Sequence, residues 1–172
     1  PSQSDSVVYG TSKSVTYNLI ALGSGTFNVT WSMINLPDGV TGSFSATSSL
    51  GSGFWTTTLT LVSTDTSPDP GTYGFAVQVA RNNTSNFIFK NLSYVVDKKP
   101  IDPTLIVLSK TYDGSTDASS TCAFPGRIGG DNIVCSVTDS RFVDPSATSS
   151  IIVNGSGINI SGANADKYIL NS

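Results

Sequence analysis

Glutamate and histidine are both absent from this chain of 172 residues. Without histidine there is no Ser-His-Asp or Cys-His catalytic arrangement, and the commonest general base and metal ligand is missing. Two cysteines without histidine also fall short of the four ligands that a structural zinc site needs. The composition therefore argues against the common hydrolases and against a zinc-binding domain.

Charge is scarce as well. Charged residues make up 12% of the chain, and the formal net charge is -3. Nucleic-acid binding requires clustered Lys and Arg, and only Lys98 and Lys99 are adjacent. No apolar run reaches the roughly 18 residues of a membrane-spanning helix. We therefore expect no nucleic-acid partner and no membrane insertion within these residues.

The abundant residues are Ser, Thr, Gly, Val and Asn, whereas Met and Ala are few and all twelve acidic residues are Asp. Thr and Val favour strands, and Gly, Asn, Asp and Ser favour turns. The composition predicts an all-β protein.

A Pro-rich, charged segment at residues 96–103 divides the chain. Pro fixes φ and restricts the residue before it, so this segment is typical of a stiff connector. We predict a first module at residues 1–98, a linker at 99–103 and a second module at 104–172. The alternative is a long loop within one β-sandwich.

The first module alternates apolar and polar residues with a period of two, and we count about seven strands. That number of short strands, separated by regular turn signals, predicts an immunoglobulin-like sandwich. Phe87 and Phe89 differ in parity from Leu92, which predicts a β-bulge near Lys90 and Asn91. Residues 36–45 (LPDGVTGSFS) and 70–73 (PGTY) also resemble a pattern of bacterial immunoglobulin-like modules.

The second module contains Tyr112-Asp113-Gly114, then Gly130-Asp131-Asn132, and closes on residues 161–168 (SGANADKY). Over residues 104–172 it resembles the YDG repeat domain of large bacterial surface and secreted adhesins, from which Cys122, Cys135, Asn164 and Lys167 depart. The resemblance implies a piece of an extracellular stalk with neighbouring β modules as partners, and no enzyme. We predict strands at 104–109, 132–138, 149–153, 157–160 and 168–170.

Two sets of polar residues in the second module are candidate sites. Cys122 and Cys135 predict a stabilising disulfide that closes a loop of about 14 residues, with buried free thiols as the alternative. Loop carboxylates are candidate calcium ligands, and their alternative role is to form turns. These are Asp113, Asp117, Asp131 and Asp144. In the YDG segment itself we expect a packed Tyr ring, an Asp that accepts turn amides and a Gly with positive φ.

Phe54 and Trp55 are neighbours in a predicted strand, so their rings point to opposite faces and one of them should be exposed. An exposed ring could stack on a sugar. Trp31 has the parity of a core residue. The sequence thus leaves two functions open: a non-enzymatic stalk segment of an extracellular or cell-surface adhesin, or a carbohydrate-binding accessory module of an extracellular enzyme. Surface glycans or proteins are the further partners to expect, and calcium is the one cofactor considered.

Overall fold

The computed structural model describes residues 6–46, 48–63, 68–82, 84–146 and 150–171, with only the backbone of residues 48–52. Within these ranges the chain forms strands and one short 3-10 turn, which confirms the all-β prediction. None of the described residues forms a helix long and apolar enough to cross a membrane. The chain divides into two compact units, Pro1–Lys98 and Lys99–Ser172.

The strands of the first unit are β1 (Val7–Val8), β2 (Ser14–Ile34), β3 (Val40–Phe44), β4 (Ser48–Ser63), β5 (Gly71–Arg81) and β6 (Phe87–Asp97). The second unit contains β7 (Lys99–Ile101), β8 (Thr104–Val107), β9 (Ser120–Ala123), β10 (Val134–Ser136), β11 (Asp139–Phe142), β12 (Val153–Ser156), β13 (Asn159–Ser161), the 3-10 turn Ala165–Lys167 and β14 (Tyr168–Leu170).

The six strands of the first unit form one hydrogen-bonded sheet in the order β1-β6-β5-β2-β4-β3. The expected count of seven was too high because two predicted strands are the two halves of β2. Gly23-Ser24-Gly25, which has the composition of a turn, instead shifts the register against β4 between Leu22 and Thr26. Gly25 takes a positive φ of 91° there, which a residue with a side chain adopts rarely.

The first unit packs as two β layers, and the long strand β2 contributes to both. Its N-terminal half carries Tyr17, whose hydroxyl donates to the carbonyl of Ser93 on β6 at 2.7 Å. The Tyr17 ring meets Phe75 of β5 edge-to-face at 5.7 Å. Because neither β5 nor β6 pairs with this half of β2, these contacts cross the core between two packed β layers.

The apolar residues of the predicted alternation line this core. Its buried aromatic and aliphatic side chains include Val15, Tyr17, Leu19, Val29, Trp31, Trp55, Leu59, Leu61, Phe75, Val77, Leu92, Tyr94 and Val96. The expectation for Trp31 is thus confirmed.

The bulge predicted near Lys90 and Asn91 is absent from β6. Its ladder with β5 runs without a register shift from Gly71–Val96 to Ala80–Phe87. The apolar residues change parity along β6 because they are not all buried. Phe87 and Phe89 point away from the core side and are each 53% exposed.

The second unit consists of two-stranded ladders: β8–β9, β10–β13, β11–β12 and the parallel pair β7–β14. Sequence patterns missed β9 and β11, which are short and polar. The strand predicted at residues 149–153 is found later in the chain, as β12 at Val153–Ser156. Residue 149 lies outside the described residues. Residues 99–103 are not a free connector, because Lys99–Ile101 pairs with Tyr168–Leu170 and Ile101 is buried.

Candidate functional site

The YDG segment forms a tight turn held by its aspartate. Asp113 Oδ1 accepts the amide N–H of Ser115 at 3.0 Å and lies 2.9 Å from Lys110 Nζ. Gly114 has a φ of 78°. The predicted roles of Asp and Gly in this turn are therefore present, but the Tyr112 ring does not pack as expected and is 64% exposed.

Two of the turn carboxyls are held in their charged form. The hydrogen bond from Lys110, and then the Ser115 amide, lower the pKa of Asp113 from its ordinary value to about 2. Hydrogen bonds from the side chain and then the amide of Ser146 lower the pKa of Asp144. Hydrogen bonds to a carboxylate stabilise its charged form, which accounts for both directions.

The other two motif segments, Gly130-Asp131-Asn132 and residues 161–168, meet around one buried tyrosine. Tyr168, which is 3% exposed, donates its hydroxyl hydrogen to Asp131 Oδ2 at 2.5 Å. The same hydroxyl oxygen accepts the amide N–H of Ile128 at 2.9 Å. The last residue of the closing motif thereby fixes the loop that carries Gly130-Asp131-Asn132.

A second pair of contacts joins the same two segments. The Asn132 amide donates to Asn164 Oδ1 at 2.8 Å, and the Asn164 amide donates to the Asn132 carbonyl at 3.0 Å. Gly162 passes so close that a Cβ there would lie 2.5 Å from the Asn132 carbonyl oxygen. The residues that define the motif therefore act on one another, about 30 positions apart in sequence.

Cys122 and Cys135 form a disulfide, with their Cα atoms 5.4 Å apart. Cys122 lies in β9 and Cys135 in β10, and these strands belong to different two-stranded ladders. The bond therefore joins the β8–β9 and β10–β13 ladders of the second unit. Both side chains are half-buried.

The calcium candidates do not converge on one point. Asp113 and Asp144 each cap a turn, Asp117 pairs with Arg141 at 3.0 Å, and Asp131 bonds to Tyr168. Among the described residues no group of three or more acidic or sulfur ligands could hold a metal ion. The turn-forming role weighed from the sequence is present in Asp113 and Asp144, whereas Asp117 and Asp131 bond to the side chains of Arg141 and Tyr168.

The second unit also contains a cleft of about 840 Å³ beside the YDG turn. Its apolar lining includes Leu105, Val107, Phe142 and Val153, with exposed Tyr112 at its rim. The neighbouring amine of Lys110 is already bound by Ser115 Oγ and by the Asp117 carbonyl, at 2.7 and 2.8 Å. No sequence pattern predicts this cleft, because its walls come from separate short strands.

As strand geometry predicts, one ring of the neighbouring pair Phe54 and Trp55 is exposed and the other is buried. Phe54 is 62% exposed and Trp55 is 3% exposed. The Trp55 indole N–H donates to the Phe27 carbonyl at 3.2 Å, and its ring packs on Phe27 at 4.3 Å. Trp55 is therefore a core residue and the prediction of a sugar platform is wrong for it, whereas Phe54 stands exposed beside its cross-strand partner Leu22.

Residues 97–172 match the sequence profile of the YDG domain. The chain thus contains a YDG domain, which begins a few residues before the position expected from the motif alone. That earlier start agrees with the pairing of Lys99–Ile101 in the second unit.

A comparison with curated proteins finds no match. Among solved structures, the chain is similar to a family 123 glycoside hydrolase from Clostridium perfringens, studied for glycolipid glycan hydrolysis. The identity is 14% and the TM-score 0.32, and the match covers 52% of this chain and 22% of the hydrolase chain. This likeness is too slight to support a functional argument.

Proposed function

We propose that the chain is a non-enzymatic structural segment of a large bacterial adhesin, secreted or at the cell surface, where it extends the polypeptide and presents other domains. The observation that carries this proposal is the YDG domain at residues 97–172, whose motif residues bond to one another. Its partners are then the neighbouring β modules of the same polypeptide, and the first unit takes the place of an immunoglobulin-like module.

Two features of the second unit support this role. A disulfide in a domain of this size is typical of an oxidising, extracellular compartment. The carboxylates beside the cleft have lowered pKa values, whereas a glycosidase needs one carboxylic acid whose pKa is raised. Lys110 is held by three oxygens, so its amine is not presented as a nucleophile.

Surface exposure of the parent protein tests the proposal. An antibody raised against residues 1–172 should label intact cells of the source organism or its culture medium. Brief protease treatment of intact cells should remove the cell-bound signal, while a cytoplasmic marker remains. Labelling that requires permeabilised cells would contradict an extracellular role.

Carbohydrate binding remains a second candidate because of Phe54. An exposed aromatic ring beside the apolar Leu22 side chain is a surface on which a sugar ring can stack, as in other aromatic contacts. A glycan array with the intact chain tests this function. Binding that is lost in Phe54→Ala and retained in Phe87→Ala, with both variants folded, would favour the carbohydrate-binding module over the stalk.

A further inference from the structure

Among the described residues, no strand lies beside the N-terminal end of β6 on the side away from β5. Its only neighbour on that side among the described residues is β1, which pairs with Val96 and Asp97 alone. Residues 87–91 therefore have a described partner strand, β5, on one side only. Free edges of this kind are templates on which a further strand can form.

The main-chain groups that point outward from this edge can be assigned. The Arg81 amide donates to the Asn86 carbonyl at 3.0 Å, so Arg81 and Asn86 face each other as a hydrogen-bonded pair. Bonded and non-bonded pairs alternate along an antiparallel ladder. The N–H and C=O groups of Phe87, Phe89 and Asn91 therefore point away from β5, whereas those of Ile88 and Lys90 point toward it.

The side chains of the edge are apolar and uncovered. Phe87, Ile88 and Phe89 are each 53–54% exposed, and the rings of Phe87 and Phe89 meet edge-to-face at 5.0 Å. Proteins commonly protect such edges with charges, prolines or covering loops. Three consecutive exposed apolar residues on an edge instead mark a surface that another chain can cover.

A cleft of about 260 Å³ opens next to this edge, lined in part by Phe87, Ile88, Trp55 and Arg81. Its wall is a stack in which the Arg81 guanidinium lies 4.2 Å from the centre of the Phe27 ring and Trp55 covers Phe27. The cleft is large enough for one apolar side chain of a strand added to β6, which is how strand addition acquires specificity.

Two cations lie close to the edge: Arg81 lines the cleft, and Lys90 follows Ile88 by two residues in β6. Arg81 and Lys90 share the side-chain parity of the core face, and neither has an ion-pair partner within the described part of the chain. Pairing two copies of β6 with each other would place four cations in one interface, which like-charge repulsion opposes. A strand that carries carboxylates complements the edge instead.

We infer that the β6 edge, Phe87–Asn91, binds an extended acidic peptide segment by strand addition. One apolar side chain of the peptide enters the cleft beside Ile88, and carboxylates two residues before and after it, on the same face of the added strand, lie against Arg81 and Lys90. This interaction is independent of the stalk role and adds a recognition surface to it.

Fluorescence anisotropy of the full chain with a labelled eight-residue peptide tests the inference. The peptide has leucine at its centre, aspartate two residues before and two residues after it, and threonine at the positions between, and saturable binding is expected. Lys90→Glu and Arg81→Glu should each weaken it roughly tenfold or more, because a charge-assisted contact becomes a repulsive one. Lys13→Glu, a charge reversal outside the edge, should leave it unchanged. A peptide with lysine in place of aspartate should not bind.

Hydrogen exchange on the same complex separates strand addition from mere charge attraction. The outward amides of Phe87, Phe89 and Asn91 should become protected when peptide is added, whereas those of the opposite edge strand β3 should not. No saturable binding, equal binding by the Lys90→Glu variant, or protection absent from these three amides would overturn the inference. A dimer in sedimentation that the peptide does not dissociate would identify a second copy as the occupant and overturn it too.

Discussion

The hydroxyl of Tyr168 lies 2.5 Å from Oδ2 of Asp131, so the end of the YDG domain is bonded to the loop at its centre. The tyrosine is buried and also accepts the amide N–H of Ile128. This pair joins two of the three motif segments of the chain. Asp131 supplies the carboxylate, Ile128 just before that segment supplies an amide, and Tyr168 of the closing segment supplies the phenol that bonds to both.

Replacing this tyrosine should destabilise the second unit. Tyr168→Phe keeps the ring but leaves Asp131 and the Ile128 amide without the hydroxyl, which costs about 2 kcal/mol for a hydrogen bond to a charged group. Urea denaturation followed by a probe in the second unit measures the loss. Tyr112→Phe is the matched control, since Tyr112 is exposed, and it should change stability by less than about 0.5 kcal/mol. Equal effects of the two variants would contradict the account.

The disulfide should stabilise the second unit and leave the first unit unchanged. Closing a loop of this length contributes about 3 kcal/mol in the chain-entropy model. The double variant Cys122→Ser, Cys135→Ser should therefore unfold at lower urea concentration in the second unit only. Mass spectrometry with a thiol-labelling reagent checks the bond itself, and two labelled thiols in protein kept under oxidising conditions would refute it.

Alkaline pH should destabilise the first unit through Tyr17. Burial, and then its neighbour Tyr94, raise the pKa of Tyr17 to about 12. The unfolded chain loses this proton near pH 10, so between about pH 10 and 12 it binds fewer protons than the folded chain and stability falls as pH rises. In Tyr17→Phe the fall over this range should be shallower. If denaturant titrations show that the stability of Tyr17→Phe falls with pH as steeply as that of the unaltered chain, the raised pKa of Tyr17 is contradicted.

Acid should destabilise the YDG turn, so the stability of the second unit falls as pH falls. Because the pKa of Asp113 is lowered to about 2, its contribution is present above about pH 4 and is lost as pH falls from there through 2. Carboxyl NMR titration should show Asp113 titrating near pH 2, and Lys110→Ala should move it back toward its ordinary value. Lys98→Ala is a control outside the turn. An Asp113 that titrates normally in the unaltered chain would contradict the Lys110 contact.

Local patterns predicted the turns and most of the core. Period-two alternation indicated Trp31 as a core residue and predicted that one of Phe54 and Trp55 is exposed, because the pleat of a strand fixes side-chain direction. The Asp113-Gly114 turn followed from local chemistry in the same way. Cys122 and Cys135 could be paired because no other cysteines compete.

Long-range pairing could not be predicted from these patterns. Whether Gly23-Ser24-Gly25 turns the chain or bends one strand depends on the ladder with β4, which lies about 30 residues away. Strands β9 and β11 are short and polar, so they carry no periodic signal. Exposed Phe87 and Phe89 were expected in the core because burial depends on which strands flank β6.

A segment exchange in the parent protein tests the stalk role most directly. Deleting residues 1–172 should reduce adhesion of the source cells, and replacing them with two unrelated β modules of the same total length should restore it. Surface display is measured in parallel with an antibody against another part of the protein. Restored adhesion is the predicted result, because a stalk contributes length and spacing. Adhesion that stays lost at normal surface display would contradict the proposal and assign binding to these residues.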